Sequence, residues 1–236
     1  MKYLVCNLKN KLNYTDVIRY NRFLNTVSLT KTELVVLPSF PFISLFDKTG
    51  YSIGSQDITS FMDKTITGEV SGDQLKSLDC KYVIVGHGER RLYKKEINID
   101  FINKINNAQE SGIKVIYTIG ENEKEHDTGH TLDVIERQIS EVLNNVEIKD
   151  IILAYEPIYN IGSKSKLDIE ELSDIINYIK DIIKDKYDTF LPLLYGGSVT
   201  TDNILDLIKM NIDGFLIGNE ATDTKNVKKL LEIMEK

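Results

Sequence analysis

The chain is poor in the residues that build disulfide-linked or membrane-anchored proteins. Its 236 residues include only two cysteines, Cys6 and Cys80, four prolines and no tryptophan. Two cysteines exclude a disulfide scaffold and favour a reducing compartment. The longest apolar stretch, Leu34 to Phe46, is interrupted by Pro38 and Pro41 and falls short of the roughly 18 residues that a membrane-spanning helix needs. We therefore expect a cytoplasmic protein that does not bind a membrane.

Positive charge is also scarce. The chain has 29 Lys and Arg against 36 Asp and Glu, a formal net charge of −7. Binding to a phosphate backbone needs a basic face, so this balance speaks against a nucleic-acid partner. A hydrophobic content of 42% with 28% charged residues is ordinary for a globular protein and argues against disorder.

Short apolar runs recur along the whole chain. They are four to six residues long, rich in β-branched and aromatic side chains, and show little polar alternation, which is typical of parallel strands buried on both faces. The predicted strands are Tyr3–Leu8, Leu34–Leu37, Tyr51–Gly54, Tyr82–Val85, Lys114–Ile119, Ile151–Tyr155, Leu191–Tyr195 and Gly214–Ile217.

Amphipathic helical patterns lie between these runs. In Asp168–Lys186 the apolar residues follow one stripe, and Asp168 with Glu171 three residues later indicates a helix start. Thr224 marks the start of the last helix in the same way. The other predicted helices are Thr15–Thr26, Asp100–Ser111, Thr131–Asn144, Thr201–Met210 and Thr224–Lys236.

This alternation predicts one α/β domain over residues 1–236. Eight βα units without a linker match the usual size of a (β/α)8 barrel. A doubly wound open sheet is the structural alternative, but no Gly-x-Gly-x-x-Gly follows the first strand.

Reactive side chains stand at the ends of three predicted strands. Lys9 follows the first strand, His87 the fourth and Glu156 the sixth. The carboxyl ends of all strands meet at one mouth of such a barrel, where its active sites lie. Each residue alone has a plain structural explanation, but their joint placement indicates an active site. Glycine-rich turns after the seventh and eighth strands favour a phosphate site there.

Seven motifs carry a resemblance that covers the full length of the chain. They occur in the order and spacing of the triosephosphate isomerase family, which the sequence resembles. The motifs are Asn7-x-Lys9, Thr67–Ser71, Val85–Arg91, Ala154–Pro157, Ile161–Gly162, Tyr195–Val199 and Asp213–Gly218. The resemblance implies interconversion of glyceraldehyde 3-phosphate and dihydroxyacetone phosphate through an enediolate, without metal or organic cofactor.

The resemblance also implies a role for each residue at the mouth. Glu156 is the base that moves the proton, and His87 is the neutral group that polarises the carbonyl. The chain turns helical after His87, and a helix N-terminus disfavours a charged imidazolium. Lys9 supplies positive charge near the developing oxyanion. Asn7 orients that neighbourhood, and Glu89 is a partner for Lys9.

Phosphate recognition and a lid follow from the same resemblance. Residues 157–167 form a lid that prevents loss of phosphate from the intermediate, and Tyr195 and Ser198 hold it shut. The expected phosphate donors are Gly162, Ser198, Gly218 and Asn219.

A homodimer is implied as well. The polar loop Asp63–Ser71 is long for a βα turn, and in the family the corresponding loop reaches into a neighbouring subunit beside its lysine. Thr67 is the tip of this loop, and we expect Glu69 to pair with Arg90 across the interface.

Several positions near the site depart from the family pattern, including the lid sequence Gly162–Leu167. Gly88 replaces a serine after the histidine, and Tyr159 replaces a tryptophan at the lid. Asn219 replaces a glycine, although asparagine tolerates left-handed geometry better than most residues. We predict an active isomerase with altered lid kinetics.

Three alternatives remain open from the sequence. The chain could isomerise a different small phosphorylated sugar, or be a catalytically idle phosphate-binding barrel. Retention of the lysine, histidine and glutamate together argues against the idle barrel. His126 and His130 have the spacing of a zinc helix, but Gly129 weakens a helix there and no glutamate follows the first histidine.

Overall fold

Eight parallel strands close into a barrel in chain order. The computed structural model describes residues 2–160 and 168–236. Each strand pairs with the next, and β1 pairs with β8 to complete the ring. The (β/α)8 prediction is therefore confirmed, and the open sheet is excluded. The strands are β1 (Lys2–Asn7), β2 (Thr32–Leu37), β3 (Ser52–Ser55), β4 (Tyr82–Val85), β5 (Lys114–Ile119), β6 (Ile151–Tyr155), β7 (Leu193–Tyr195) and β8 (Gly214–Ile217).

The strands separate two apolar cores. Alternate side chains such as Val5, Ala154 and Leu216 fill the inside of the barrel, whereas their neighbours in the chain pack outward against the helices. Two buried faces explain why the strands lack polar alternation. Because side chains alternate along a strand, the next positions on the interior side of β1 and β6 are Asn7 and Glu156. The alternation of side chains along β1 and β6 therefore places Asn7 and Glu156 at the mouth of the barrel.

Helices form the outer layer and carry the return connections. Six of them overlap the predicted amphipathic segments, and two short ones were not predicted. The helices are α1 (Tyr14–Leu24), α2 (Gly72–Ser77), α3 (Asn98–Glu110), α4 (Glu123–Asp127), α5 (Thr131–Leu143), α6 (Ile169–Tyr187), α7 (Ile204–Leu207) and α8 (Thr224–Met234). None of the described helices is both long and apolar enough to cross a membrane.

The helix starts show which residues act as caps. The Asp168 side chain accepts the backbone N–H of Glu170 at 2.7 Å, so it is the cap of α6 as predicted. The prediction for α8 was wrong by one residue. Asp223 caps it by accepting the N–H of Lys225 at 2.8 Å, and Thr224 is the first helical residue.

The segment predicted as a helix over Thr201–Met210 is helical only from Ile204 to Leu207. The Asn203 side chain accepts the backbone N–H of Thr200 at 2.8 Å and donates to the carbonyl of Ser198 at 3.0 Å. These bonds hold the preceding residues in a turn, since asparagine side chains compete with helical backbone bonding. The loop after β7 is thereby fixed at the mouth of the barrel.

Candidate active site

A cavity of about 140 Å³ opens at the carboxyl ends of the strands. It combines acidic, basic and glycine-rich surfaces from five strand ends. The predicted residues that line it are Asn7, Lys9, His87, Glu156, Ser198, Gly218 and Asn219. Side chains that are separated by up to 212 positions in sequence are therefore brought together at one mouth.

Lys9 is held in an uncommon backbone conformation by its neighbours. Its φ of 51° lies in the left-handed region, which costs free energy for a residue with a β-carbon. The Asn7 side chain accepts the backbone N–H of Lys9 at 3.0 Å, and Gln56 donates to the Lys9 carbonyl at 2.7 Å. The ammonium contacts Glu89 at 2.5 Å, as the resemblance implied. These contacts fix where the positive charge lies.

His87 is presented by a turn that requires glycine before it. Gly86 has a φ of 78°, and a β-carbon there would lie 3.0 Å from the carbonyl oxygen of Thr118. Arg91 donates to the carbonyls of Gly86 at 2.9 Å and Thr118 at 3.0 Å. This guanidinium therefore ties the end of β4 to β5. The buried Gly88 begins the helical turn that leads into the π-helical residues Arg90–Lys94.

The protonation of His87 is governed by contacts of opposite effect. The backbone N–H of Glu89 donates to Nδ1 at 3.2 Å, which places the proton of a neutral ring on Nε2. Nε2 lies 3.3 Å from Oε1 of Glu156. Burial is the largest single effect and lowers the pKa of His87, but the carboxylates of Glu156 and Glu89 outweigh it and leave this pKa raised. The backbone contact thus favours the expected neutral ring, and the Glu156 contact opposes it.

Glu156 is buried and only partly hydrogen-bonded. Its Oε1 faces His87, while its Oε2 meets no hydrogen-bond donor within the described part of the chain. A buried carboxylate oxygen without a donor is costly and is available to accept a proton. The strand neighbours leave room for it. A β-carbon on Gly120 would lie 2.0 Å from the Glu156 carbonyl, and one on Gly196 would lie 3.2 Å from its Cγ.

The turns after β7 and β8 face these residues across the cavity. Ser198 has a left-handed φ of 53°. Gly218 packs against Lys9, since a β-carbon there would lie 3.0 Å from the Lys9 Cε. Asn219 has a φ of −62°, so the left-handed geometry that we considered for it does not occur. Gly162 and the rest of residues 161–167 lie outside the described residues.

Tyr195 lies at the end of β7 beside the second glycine of the turn. A β-carbon on Gly197 would lie 2.2 Å from the Tyr195 hydroxyl oxygen. Glycine therefore allows the hydroxyl to lie against the turn that carries Ser198. The assignment of Tyr195 as a latch stays a prediction.

A second polar cluster, which sequence reasoning missed, lies behind Glu156. Glu121 is fully buried and accepts the Tyr155 hydroxyl at 3.1 Å, and burial raises the pKa of this carboxyl. The Tyr159 ring stacks on His126 at 4.5 Å, and its hydroxyl lies 3.1 Å from Nδ1 of that histidine. Glu121 directly follows the glycine at the end of β5. Applying the strand-end rule to this fifth strand would have found it.

The residues predicted for the dimer interface do not line the cavity. Within the chain, Arg90 binds Asp57 at 2.6 Å and also binds Glu96. Glu69 and Thr67 lie on the exposed loop before α2. Pairing of Glu69 with Arg90 across an interface stays a prediction.

The two histidines with the spacing of a zinc helix have other contacts. His126 belongs to α4 and pairs with Tyr159 as described, and Nδ1 of His130 lies 2.9 Å from the Thr128 hydroxyl. Within residues 2–160 and 168–236 there is no group of three or more potential metal ligands.

Comparison with known proteins identifies the family. A family model described as triosephosphate isomerase matches residues 2–234. The chain belongs to the triosephosphate isomerase family. The chain is 33% identical to a triosephosphate isomerase of Mycoplasmopsis pulmonis over 97% of this chain and 96% of that protein. It is 32% identical to the enzyme of that name from Blochmanniella floridana, over 90% of each chain. A third relative, from Coxiella burnetii, is 35% identical over 86% of this chain and 84% of its own length.

Membership in the triosephosphate isomerase family agrees with the placement of the site. Five of the seven motifs that carried the resemblance contribute residues to the cavity at one mouth of the barrel. The other two are Thr67–Ser71, on the loop before α2, and Ile161–Gly162, which lies outside the described residues. Of the departures from the family pattern, Asn219 lines this cavity and Gly88 directly follows His87 in the chain, whereas Tyr159 contacts His126.

Proposed function

We propose that this chain interconverts glyceraldehyde 3-phosphate and dihydroxyacetone phosphate. The reaction moves one proton between adjacent carbons and one between their oxygens, through an enediolate. The observation that carries the proposal is the buried Glu156 carboxylate. Its Oε2 meets no donor among the described residues, and Glu156 lines the same cavity as His87 and Lys9.

Glu156 is proposed as the base. A carboxylate removes a proton well when it is close to the carbon and shielded from water. Glu156 is only 5% exposed. Gly120 packs closely against its backbone and Gly196 against its side chain, which limits where the carboxylate can lie. The proton that it takes from one carbon is returned to the neighbouring carbon, so no redox partner is required.

His87 is proposed to polarise the carbonyl and to exchange the hydroxyl proton. The Glu89 backbone N–H holds Nδ1 as an acceptor, so Nε2 carries the proton that is donated to the substrate oxygen. A substrate between Nε2 and Glu156 would replace their 3.3 Å contact. That separation would weaken the effect of Glu156 that raises the pKa of His87, and would favour the neutral ring.

Lys9 is proposed to stabilise the negative charge that develops on the enediolate oxygen. Fixed charges act most strongly when they are positioned before the reaction, and Asn7, Gln56 and Glu89 fix Lys9 in this way. The phosphate would bind at the turns that carry Ser198, Gly218 and Asn219. Gly162 and the lid over residues 157–167 complete this assignment by resemblance, with Tyr195 and Ser198 as its latches.

We further propose a homodimer that works in the cytoplasm. A groove of about 410 Å³ lies beside Lys9 and is lined by Phe40, Pro41 and Tyr93, among others. The loop over residues 63–71 has the composition to fill this groove in a second copy, because Ile66 is 39% exposed and Met62, just before the loop, is 61% exposed.

Sedimentation at micromolar concentration tests the dimer. We expect the wild type to sediment as a dimer and Thr67→Arg to sediment as a monomer. The reason is that a longer, positively charged side chain would enter a groove that Lys9, Arg90 and Lys94 also line. Thr128→Arg, on the loop after α4, is the matched control and should remain dimeric. A monomeric wild type would refute the proposal.

A coupled assay of glyceraldehyde 3-phosphate conversion tests the reaction. Glu156→Gln should lower kcat by about 10²- to 10⁴-fold, the range that a general base contributes. Glu33→Gln is the matched control, since Glu33 lies on β2 at the opposite end of the barrel and accepts the Ser52 hydroxyl at 2.8 Å. Both variants should fold, as circular dichroism would show. Wild-type kcat in Glu156→Gln would refute the assigned base.

A further inference from the structure

Two lysines from the loop after β1 reach the turn after β8. Lys9 touches this turn with its stem, at the position where a β-carbon on Gly218 would lie 3.0 Å from its Cε. Lys11 reaches the next residue, and its ammonium donates to Oδ1 of Asn219 at 2.6 Å. Asn219 lines the cavity. A second cation therefore lies at the rim of the site, beside the turn assigned to phosphate.

The charges of these two lysines differ in how they are balanced. Lys9 is paired with the Glu89 carboxylate at 2.5 Å. Lys11 is bound to a neutral amide, and it forms no ion pair with any carboxylate in the described ranges. Its charge is therefore available to an anion at the rim. This matters in a chain whose net charge of −7 repels anions at long range.

The contact also changes what Asn219 offers. A hydrogen bond from an ammonium to the amide oxygen polarises the amide, and a polarised amide is a stronger donor through its N–H groups. The pair therefore places one positive charge and one strengthened donor at the same edge of the cavity. Both features favour a phosphate dianion over an uncharged group of similar size.

We infer that Lys11, held by Asn219, is a specificity residue that attracts and selects the phosphate end of the substrate. The inference rests on the proposed function for the identity of the substrate. It differs from a structural role of Lys11, because a lysine that only ties two loops together would affect stability without distinguishing phosphorylated from unphosphorylated substrates.

The test compares Lys11→Gln, Lys11→Arg and the control Lys149→Gln. Lys149 precedes β6 and lines a groove at the opposite end of the barrel, so the control removes the same charge away from the site. We expect Lys11→Gln to raise the KM for glyceraldehyde 3-phosphate about threefold to tenfold, somewhat above the effect of one exposed pair of single charges because the phosphate is a dianion. kcat should change less than twofold, and both Lys11→Arg and Lys149→Gln should resemble the wild type.

Two further measurements separate attraction to phosphate from other effects. The difference between Lys11→Gln and wild type should shrink as salt is raised from 20 to 300 mM, because salt screens exposed charges. With glyceraldehyde, which carries no phosphate, kcat/KM should be the same in both proteins. A KM that does not change in Lys11→Gln, or an equal loss with glyceraldehyde, would overturn the inference.

A binding experiment keeps this result distinct from the proposed function. Inorganic phosphate is titrated into wild type, Lys11→Gln and Lys149→Gln, and the backbone amide signals of the Gly218–Asn219 turn are followed by NMR. If the wild type failed to convert triose phosphates, the proposed function would fail, but weaker phosphate binding in Lys11→Gln alone would still support Lys11 as an anion-selecting residue. Equal phosphate affinity in all three proteins would overturn it.

Discussion

Lys104 offers the sharpest prediction about what holds the barrel together. Its side chain is 4% exposed and binds Asp57 at 2.6 Å and Glu96 at 2.7 Å. Arg90 binds the same two carboxylates from the other side, so two cations and two anions balance. Lys104→Met retains most of the buried volume and removes one positive charge. Two largely buried carboxylates, Asp57 at 17% and Glu96 at 11% exposure, then share a single guanidinium.

The cost follows from this imbalance. Removing one partner of a buried ion pair costs about 3 to 5 kcal/mol of unfolding free energy, because a charge is left without compensation. In a domain of this size each kcal/mol lowers the melting temperature by about 2 to 4 °C, so we expect a fall of about 6 to 20 °C. Lys228→Met is the control. Lys228 is 67% exposed and lies 3.9 Å from Glu232, and its loss should cost less than about 1 kcal/mol.

The pH dependence of this cost gives a second check. Burial, the largest effect, raises the pKa of Asp57 even though Lys104 and Arg90 act to lower it. Without Lys104 that pKa rises further. Because an acid with a raised folded-state pKa destabilises the protein when ionised, the deficit of Lys104→Met should be largest at neutral pH and shrink as acid protonates Asp57.

Urea unfolding followed by circular dichroism at pH 7 and pH 5 measures both quantities. A deficit below 1 kcal/mol at pH 7 would show that water or rearrangement compensates the carboxylates. A deficit that grows on acidification would show that the charge on Asp57 is not its source.

Two further predictions concern the site and the first αβ connection. Gly196→Ala should lower kcat about tenfold. The added β-carbon would lie 3.2 Å from the Cγ of Glu156 and would displace its carboxylate by a fraction of an ångström. An unchanged kcat in the coupled assay would contradict this prediction. Slight burial raises the pKa of Glu235, but backbone bonds from Thr30 and Lys31 with hydroxyl contacts bring it to about 2. Glu235→Gln should therefore lower the free energy of unfolding by about 1 kcal/mol at pH 7. Because a lowered pKa stabilises the protein only while the group is ionised, urea titrations should show this difference from wild type vanishing between about pH 4.5 and pH 2. A difference that persists at pH 2 would refute the assignment.

The strands were the most predictable part of the fold. β4, β5, β6 and β8 begin and end at the predicted residues, because their side chains are largely apolar on both faces and a glycine or a polar residue follows each strand. The prediction for β7 began two residues too early, at Leu191. Pro192 stands there, and proline lacks the N–H that strand pairing needs.

The short helices could not be predicted from periodicity. α2 has six residues and α4 five, which is too few to show an apolar stripe. Both depend on side chains that cap them, Ser71 for α2 and Asn122 for α4. Such capping boxes indicate a helix start, but a few residues without tertiary support do not make a stable helix.

In the candidate site, too, some features could be predicted from the sequence and others could not. Lys9, His87 and Glu156 stand directly after strands, so position in the chain was enough to bring them together. Contacts between loops that are far apart in the chain could not be predicted from the sequence. The stacking of Tyr159 on His126 and the hydrogen bond from Lys11 to Asn219 depend on how separate loops meet in space.

Because β1 pairs with β8, its second partner strand is made only near the end of synthesis on the ribosome. Residues 3–6 of β1 have their second partner only in residues 214–217. At about 5 to 20 residues per second, roughly 10 to 40 s pass between the two strands, and throughout that time one edge of β1 has unpaired backbone groups. Because an unpaired strand edge is a template for pairing with other strands, the nascent chain is open to such pairing until its eighth strand emerges.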